Sequence, residues 1–321
     1  MRSLLALTAL ALTGLSAAAQ TFPNKPITMI VPFAAGGPTD TVARIISETM
    51  TRDLGQTIVV ENAGGAGGTI GSGRVANAKP DGYTVLLHHI GISTAPTLYR
   101  KLPFDTKTAF EGIGLVKDVP MTLVSKPELP AATLADVLAY VKAKKQDASL
   151  ANAGLGAASH LCGMMFMSAL QTPMTTVPYK GTGPAMNDVL GNRVDLMCDQ
   201  TTNTTSQIKA GKIKVFAVTT PQRIAILPDT PTTAEAGLPG LAVTVWHGLY
   251  APKGTPQAVV DRLAASLQKA LADENVKERF AQLGTTPVPL ADATPAAARA
   301  RLDAEIDRWA PIIKAAGEFA D

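Results

Sequence analysis

The chain has 321 residues, of which 46% are apolar and 5% aromatic, and its formal net charge is +3. A charge this small, with no block of Lys or Arg, argues against nucleic acid or an anionic membrane as a partner. A mature chain of roughly 300 residues exceeds what one hydrophobic core usually organises. We therefore expect two lobes, and the apolar fraction is ample for both.

The N-terminal segment is typical of a secretory leader. Arg2 is followed by an apolar run from Leu4 to Leu15 and by the small residues 16–19. The run is shorter than the roughly 20 residues that span a bilayer, so a signal peptide is favoured over a membrane helix. No cysteine lies near Ala19 to carry a lipid anchor. We predict that residues 1–19 are a signal peptide cleaved near Ala19, and that the mature protein diffuses freely in the periplasm.

The first half of the chain alternates strands and helices. A β-rich run at Ile27–Val31 leads through a glycine turn into a helix that begins near Pro38, with Thr39 or Asp40 as its capping oxygen. A second strand precedes a loop at 62–73 that contains six glycines, and residues 83–87 form a third. This alternation predicts an α/β fold with a mostly parallel sheet flanked by helices.

The pattern starts again near Pro120. A strand is predicted at 121–125, and Thr133 with Asp136 forms a capping box for the next helix. Residues 149–152, a glycine turn and an apolar helix then repeat the opening motif. A strand near 243–250 returns to the first half, and helices follow to about residue 315. We predict residues 20–120 and 246–321 as lobe 1 and residues 121–245 as lobe 2.

Two strand–glycine–helix turns are the strongest chemical signal. A helix N-terminus carries unpaired N–H groups and about half a positive charge, so it attracts anions. Glycines let an anion approach the backbone, and a hydroxyl follows each pair at a matching place; the residues are Gly36, Gly37 and Thr39 in one turn and Gly154, Gly156 and Ser159 in the other. Because each predicted lobe has one such turn, we predict that the two turns bind one anion from opposite sides, as a clamp. The alternative is that both are ordinary βα turns.

Further candidates end predicted strands. Lys180 either attracts an acid or is simply solvated, and Asp199 either binds an amine, water or N–H groups or orients its neighbouring turns. His88 and His89 point to opposite faces of their strand, which suits one cleft contact better than a shared metal. His89 and His160 are candidates for ligand contact, with a structural role as the rival. We expect no metal and no cofactor.

Two enzymatic interpretations lack support. Residues 71–76 fit the G-x-G-x-x-A dinucleotide form, but they follow the second strand after a long loop, whereas the fingerprint opens the helix after the first. Ser159, His160 and Asp199 could be drawn as a hydrolytic triad, yet adjacent Ser and His rarely bring their reactive atoms together. We therefore predict a binding protein and not an enzyme.

The chain has two cysteines, Cys162 and Cys198, both in the predicted second lobe. Pairs of cysteines in exported proteins favour a disulfide because the compartment is oxidising. The alternative is two buried thiols that pack as small apolar residues.

Over nearly its whole mature length the chain resembles the solute-binding proteins of tripartite tricarboxylate transporters, also called Bug receptors. The resemblance is carried by well-separated motifs: Lys25-Pro26-Ile27, Val31 to Asp40, Val60-Glu61-Asn62, Pro80 to Tyr83, Ser159-His160-Leu161, Val177 to Gly181, Ala217-Val218-Thr219 with Arg223, Pro231-Thr232 with Glu235-Ala236-Gly237, and Ala251 to Pro256. Departures from the family pattern are the two cysteines and the His88-His89 pair.

The resemblance implies a two-lobed periplasmic binding protein, a Venus flytrap, that holds a small mono- or dicarboxylate for the membrane permease subunits of a transporter. The chain is expected to act as a monomer. Phe33 and Trp246 could flank an aromatic acid. A carboxylate sensor for a signalling partner and an exported α/β hydrolase are the alternatives. The expected ligand-binding residues are Phe33, Ala34, Gly36, Gly37, Pro38, Thr39, Asp40, His89, Gly154, Ala157, Ala158, Ser159, His160, Lys180, Gly181 and Asp199.

Overall fold

The structure is a computed structural model that describes residues 22–317 and 319–320. The leader predicted at residues 1–19 lies outside these ranges and stays a prediction. Within them, no helix combines the length and apolarity needed to cross a bilayer.

Strands and helices alternate through most of the described chain. The strands are β1 Ile27–Val31, β2 Ile58–Asn62, β3 Thr84–His89, β4 Phe110–Ser125, β5 Ser149–Asn152, β6 Thr175–Pro178, β7 Leu196–Gln200, β8 Lys214–Val218, β9 Thr244–Pro252 and β10 Thr286–Pro287. The α-helices are α1 Pro38–Leu54, α2 Thr69–Ala76, α3 Gly91–Leu98, α4 Leu134–Lys144, α5 Ala158–Leu170, α6 Thr182–Leu190, α7 Thr201–Lys209, α8 Gln257–Ala272, α9 Glu274–Gln282 and α10 Pro295–Ala316.

Local sequence explains the best-predicted helices. Helix α1 begins at Pro38, where the missing N–H and the fixed φ of proline suit a first turn, and it ends at Gly55, whose φ is +68°. Its apolar stripe is buried as predicted. The capping box of α4 is also confirmed: the Thr133 side chain accepts from the Asp136 N–H, and Asp136 accepts from the Thr133 N–H.

Strand β4 belongs to both sheets of the fold. Residues 110–120 pair with β9, up to the Pro120–Thr244 pair, whereas residues 121–125 pair with β7 and β8. The prediction that a strand begins at residue 121 is therefore wrong, because one strand runs through from Phe110. Pro120 suggested a break, but a proline can sit in a strand where its position needs no N–H donor. The predicted lobe boundaries stay a prediction, although the sheet changes partners close to them.

Each sheet is mixed, not mostly parallel as predicted. Strand β1 pairs in parallel with β2 and β3, and β5 with β6 and β7. Strands β4 and β9 pair antiparallel with each other, β9 with β3, and β4 with β7. The reason is the connection between lobes: β4 leaves the first lobe and β9 returns beside it in the opposite direction. The two-lobed α/β class is otherwise as expected.

The two lobes share part of their core. One buried cluster runs along the α10 and α5 side, from Trp246 and Tyr250 in the first lobe to Phe166 and Cys198 in the second. A separate cluster packs β1 and the adjoining strands against α1, α8 and α9. These clusters hold the carboxyl ends of β1, β5 and β7 at fixed places, where β1 and β5 run into glycine turns and β7 runs directly into α7.

Cys162 and Cys198 form the predicted disulfide, with their Cα atoms 6.0 Å apart. Both side chains are fully buried. The bond ties α5, which begins at one glycine turn, to β7, which ends at Gln200. It therefore braces the start of α5 against the carboxyl end of β7.

We expect removal of this bond by Cys162→Ala with Cys198→Ala to lower the free energy of unfolding by about 3–4 kcal/mol, because the bond closes a loop with a sequence separation of 36. Thermal and urea unfolding with and without reductant would measure this. The wild type should become less stable in reductant, while the double variant should not respond. Two titratable thiols in the purified exported protein would contradict the bond.

Candidate ligand-binding site

The turn between β1 and α1 is organised by Asp40. Its carboxylate accepts hydrogen bonds from the Gly36 N–H, the Asn62 amide and the Arg44 guanidinium, each at 3.0 Å. Burial alone would raise the pKa of Asp40, but these hydrogen bonds lower it below its usual value. The carboxylate thus stays ionised and is occupied by its own turn, which leaves it poorly placed to meet a solute.

The turn between β5 and α5 uses its polar side chains in a similar way. The Ser159 hydroxyl accepts from the Ala153 N–H at 2.8 Å, and His160 Nδ1 accepts from the Gly156 N–H at 3.3 Å. Ser159 is an acceptor in this bond, so its own hydrogen remains available to a solute. Because Ser159 and His160 each contact a backbone N–H of their own turn, they do not form the serine–histidine pair of a hydrolase.

Four helices begin at one place between the lobes. They are α1 and α5, which follow the two turns above, α6, which follows β6 after residues 179–181, and α7, which follows β7 directly. No side chain of the described residues caps the first turn of any of the four. Of the other helices, α4, α9 and α10 are capped by Thr133, Asp273 and Thr294, whereas α2, α3 and α8 also lack a side-chain cap. The four helices are distinguished by their common meeting point, where their first-turn N–H groups gather.

A small closed cavity lies at this meeting point. Only about 10 Å³ of it can hold the centre of a water molecule, so it has room for about one water. A solute can therefore enter only when the lobes separate. Its lining residues are Phe33, Pro38, Thr39, His89, Ala153, Ala158, Ser159, Thr182, Asp199 and Gln200.

Backbone groups hold the two lobes together beside the cavity. The Ala34 N–H donates to the Lys180 carbonyl at 2.8 Å, and the Thr94 and Tyr99 hydroxyls donate to the carbonyls of Gly156 and Leu155 at 2.9 Å each. The Lys180 side chain is exposed. Lys180 therefore contributes its carbonyl to the contact between lobes, and its ammonium group stays outside the cavity.

Glycines make this contact close. A Cβ on Gly183 would lie 2.9 Å from the Ala35 carbonyl oxygen and 3.0 Å from the Gly37 nitrogen, and one on Gly67 would overlap the Leu155 carbonyl. The glycine loop at 62–73 thus lies at the contact between the lobes, which we call the seam, and lets the two backbones approach closely there. Its G-x-G-x-x-A segment lies inside α2, where Gly71 packs against Pro32, and not before a helix as a dinucleotide site requires.

His89 forms part of the cavity wall, and two further histidines pack beside it. The ring of His89 stacks on Phe33 at 4.5 Å between centroids and meets His88 edge-on at 5.0 Å. Burial lowers the pKa of His89 to about 3, and burial also lowers the pKa of His88 and His247. All three rings are therefore neutral at physiological pH. His247 Nε2 lies 3.4 Å from the Thr39 hydroxyl, so it supports a residue that lines the cavity.

The opposite wall carries one carboxyl group and two unpaired polar atoms. Burial raises the pKa of Asp199 to about 6, against the hydrogen bond that Asn203 donates to it at 2.6 Å. The Thr182 hydroxyl is near enough to favour the ionised carboxylate, yet its geometry falls short of a hydrogen bond. Thr182 Oγ1 and Gln200 Oε1 have no hydrogen-bond partner among the described residues.

The cavity includes part of the predicted set. It brings together Phe33, Pro38, Thr39, His89, Ala158, Ser159 and Asp199. The other expected residues surround it as turn or seam residues: Ala34, Gly36, Gly37, Asp40, Gly154, Ala157, His160, Lys180 and Gly181. The expected aromatic pair does not form, because Trp246 lies in the core cluster on the α10 side of the sheet.

Sequence reasoning did not identify Ala153, Thr182 and Gln200 as lining residues. Thr182 begins α6, and Gln200 is the last residue of β7, directly before α7. The available signal was the strand-then-helix order that the two glycine turns also show. Thr182 in addition lies between Gly181 and Gly183, in a third glycine turn, whereas Gln200 has no such turn beside it.

Known proteins share this architecture. Residues 42–318 match the sequence model of the family described as the tripartite tricarboxylate transporter family receptor. The solved periplasmic binding protein BugD has a TM-score of 0.91 and 53% identity, over 94% of this chain and 100% of that one.

Two further solved relatives contain acids. MatC of Rhodopseudomonas palustris, with bound malate, has a TM-score of 0.88 and 37% identity, over 91% of this chain and 100% of that one. Rpa4515 of R. palustris, with adipate, has a TM-score of 0.87 and 32% identity, over 92% of this chain and 98% of that one. The chain therefore belongs to the tripartite tricarboxylate transporter family of receptors, which are periplasmic solute-binding proteins and not enzymes.

Proposed function

We propose that this protein captures a small aliphatic mono- or dicarboxylate between its lobes and presents it to the membrane permease subunits of a tripartite tricarboxylate transporter. The observation that carries the proposal is the meeting of four uncapped helix N-termini at one cavity. Each N-terminus contributes roughly half a positive charge, so together they form an anion site. The malate and adipate bound by the two relatives support a carboxylate as the anion.

The solute is held by dipoles, with no charged basic side chain in the cavity wall. Donors come from the first-turn N–H groups and from the hydroxyls of Thr39 and Ser159. Charge–dipole attraction is stronger in an enclosed site than in water, because the local dielectric constant is lower. The position of Trp246 in the core, away from the cavity, favours an aliphatic acid over an aromatic one.

Closure of the lobes is the step that a permease could recognise. The Ala34–Lys180 and Thr94–Gly156 bonds join residues on the two sides of the cavity. A solute that bridges both sides stabilises the closed state by its differential affinity for it. We further propose that residues 1–19 direct export and are removed near Ala19, which places the receptor in the periplasm beside its transporter.

The variant Gly183→Ala tests whether closure is needed for binding. The added Cβ would press on Ala35 and Gly37, so we expect at least about a tenfold loss of affinity, or about 1.4 kcal/mol. Ala is a better helix former than Gly, so α6 and the melting temperature of the free protein should not suffer. Calorimetry with malate and adipate, alongside thermal unfolding, would measure both effects.

Gly240→Ala is the matched control. The nearest atom to its Cβ would be the Ala169 Cβ at 4.0 Å, away from the cavity, so affinity should be unchanged. Equal affinity in the Gly183→Ala and wild-type proteins would contradict capture by closure.

The raised pKa of Asp199 sets the direction in which the affinity for a carboxylate should change with pH. With its pKa at about 6, the carboxyl group is neutral below that pH and becomes negative above it, next to the bound anion. Affinity for malate, which is fully ionised in this range, should fall between pH 6.5 and 8 by up to about tenfold per pH unit. Asp199→Asn should abolish the slope, since an amide oxygen still accepts from Asn203.

Asp188→Asn is the control for this experiment. Asp188 contacts Tyr179 and Arg193 outside the cavity, so its replacement should preserve the wild-type slope. A flat wild-type profile, or a slope that survives in Asp199→Asn, would show that Asp199 does not face the bound anion.

A further inference from the structure

The Cys162–Cys198 bond joins two segments that line the cavity. On α5, Cys162 follows Ser159 by three residues, which is less than one helical turn. On β7, Cys198 immediately precedes Asp199. Ser159 and Asp199 both line the cavity, and both are almost fully buried. One covalent bond therefore joins the helix that carries Ser159 to the strand that carries Asp199.

Strand β7 is supported differently on its two sides. It pairs with β4 through its last residue, in the Met121–Gln200 pair. On its other side, the parallel ladder with β5 ends at the Ala151–Met197 pair. Residues 153–157 then leave the sheet in the glycine turn that leads to α5. The disulfide therefore continues the connection past the end of this ladder, at the level of the cavity.

Hydrogen bonds within the glycine turn keep its shape. The Ser159 hydroxyl accepts from the Ala153 N–H, and His160 Nδ1 accepts from the Gly156 N–H. Donor and acceptor belong to the same turn in both bonds. These bonds therefore do not set the distance between the turn and the end of β7.

The first lobe also holds this turn, but only while the lobes are closed. The Thr94 and Tyr99 hydroxyls donate to the Gly156 and Leu155 carbonyls across the contact between the lobes. Both bonds are lost when the lobes separate to admit a solute. The disulfide lies within the second lobe, so it still holds the start of α5 in the open receptor.

We infer that the Cys162–Cys198 disulfide is a positioning element of the solute site, which holds the first turn of α5 at a fixed spacing from the end of β7 before the lobes close. A site that is already arranged loses less conformational freedom when its ligand binds, and its affinity is higher for that reason. The inference rests on the proposed function and adds to it a covalent bond on which the affinity depends.

Full affinity therefore follows formation of the bond. Formation removes two electrons and two protons from the two thiols, and a disulfide-bearing oxidant accepts them and leaves as two thiols. The reducing cytoplasm opposes this reaction, whereas an oxidising compartment favours it. Thiol–disulfide exchange is thus the reaction class that must precede efficient capture of the solute.

Calorimetry with malate and adipate tests the inference on the mature protein. The double variant Cys162→Ala with Cys198→Ala is compared with the wild type at a temperature where thermal unfolding shows both to be fully folded. We expect at least about a fivefold loss of affinity, because the unlinked turn must be ordered when the solute binds.

A second unlinked protein separates the bond from the packing of its sulfur atoms. Wild-type protein that is unfolded and refolded in reductant keeps both sulfurs, and thiol titration checks that the bond is absent. It should lose as much affinity as the double variant. If this form does not refold, Cys162→Val with Cys198→Ala takes its place, because valine fills more of the space without restoring the link.

Val137→Ala is the matched control for lowered stability. Val137 is fully buried in α4 and does not line the cavity. Its truncation leaves a small void in the core, so the melting temperature should fall. The affinity for both acids should remain that of the wild type.

The outcomes separate this inference from the function on which it rests. Equal affinity in the bonded and unbonded proteins overturns the positioning role, and so does an equal loss in Val137→Ala. In both cases the wild type still binds, so carboxylate capture stands. If the wild type binds neither malate nor adipate, the proposed function fails and the inference fails with it.

Discussion

The positive ends of four helices at one closed cavity are the feature on which the rest of the structure depends. Helices α1, α5, α6 and α7 all begin there without a side-chain cap, so their N–H groups have no local acceptor. Unpaired donors inside a protein are unfavourable, and an anion relieves several at once. The same uncapped helix ends are what favour an anion such as a carboxylate at this site.

Apart from Asp199, which becomes negative above about pH 6, the surrounding side chains keep this site free of competing charge. Asp40 is paired within its own turn, and the three histidines near the cavity are neutral because they are buried. Lys117, which pairs across the strands with His247, is also fully buried, and burial lowers its pKa. The potential in the cavity therefore comes mainly from oriented backbone groups. Dipoles held by a rigid fold need little reorganisation when the solute arrives.

The fold supplies that rigidity through a few long-range connections. Strands β4 and β9 carry the backbone between the lobes, and a shared core lies along one side of them. The Cys162–Cys198 bond holds the start of α5 near the end of β7. On the other side the lobes meet through backbone atoms and glycines, with few large side chains between them. Such a seam can separate and close again without repacking a core.

The sequence alone determined the two-lobed α/β class, the family and the two glycine turns, because each depends on local patterns or on motifs at fixed spacing. It favoured the disulfide, which the tertiary structure then established by bringing Cys162 and Cys198 together. Thr39 and Ser159 follow directly from those turns. Tertiary structure decided which neighbours of the turns face the cavity: Asp40 and Lys180 looked like ligand groups, yet one is paired locally and the other is exposed. It also brought in Thr182 and Gln200, and joined residues 110–125 into one strand. These outcomes depend on contacts between segments far apart in the chain, which no local pattern records.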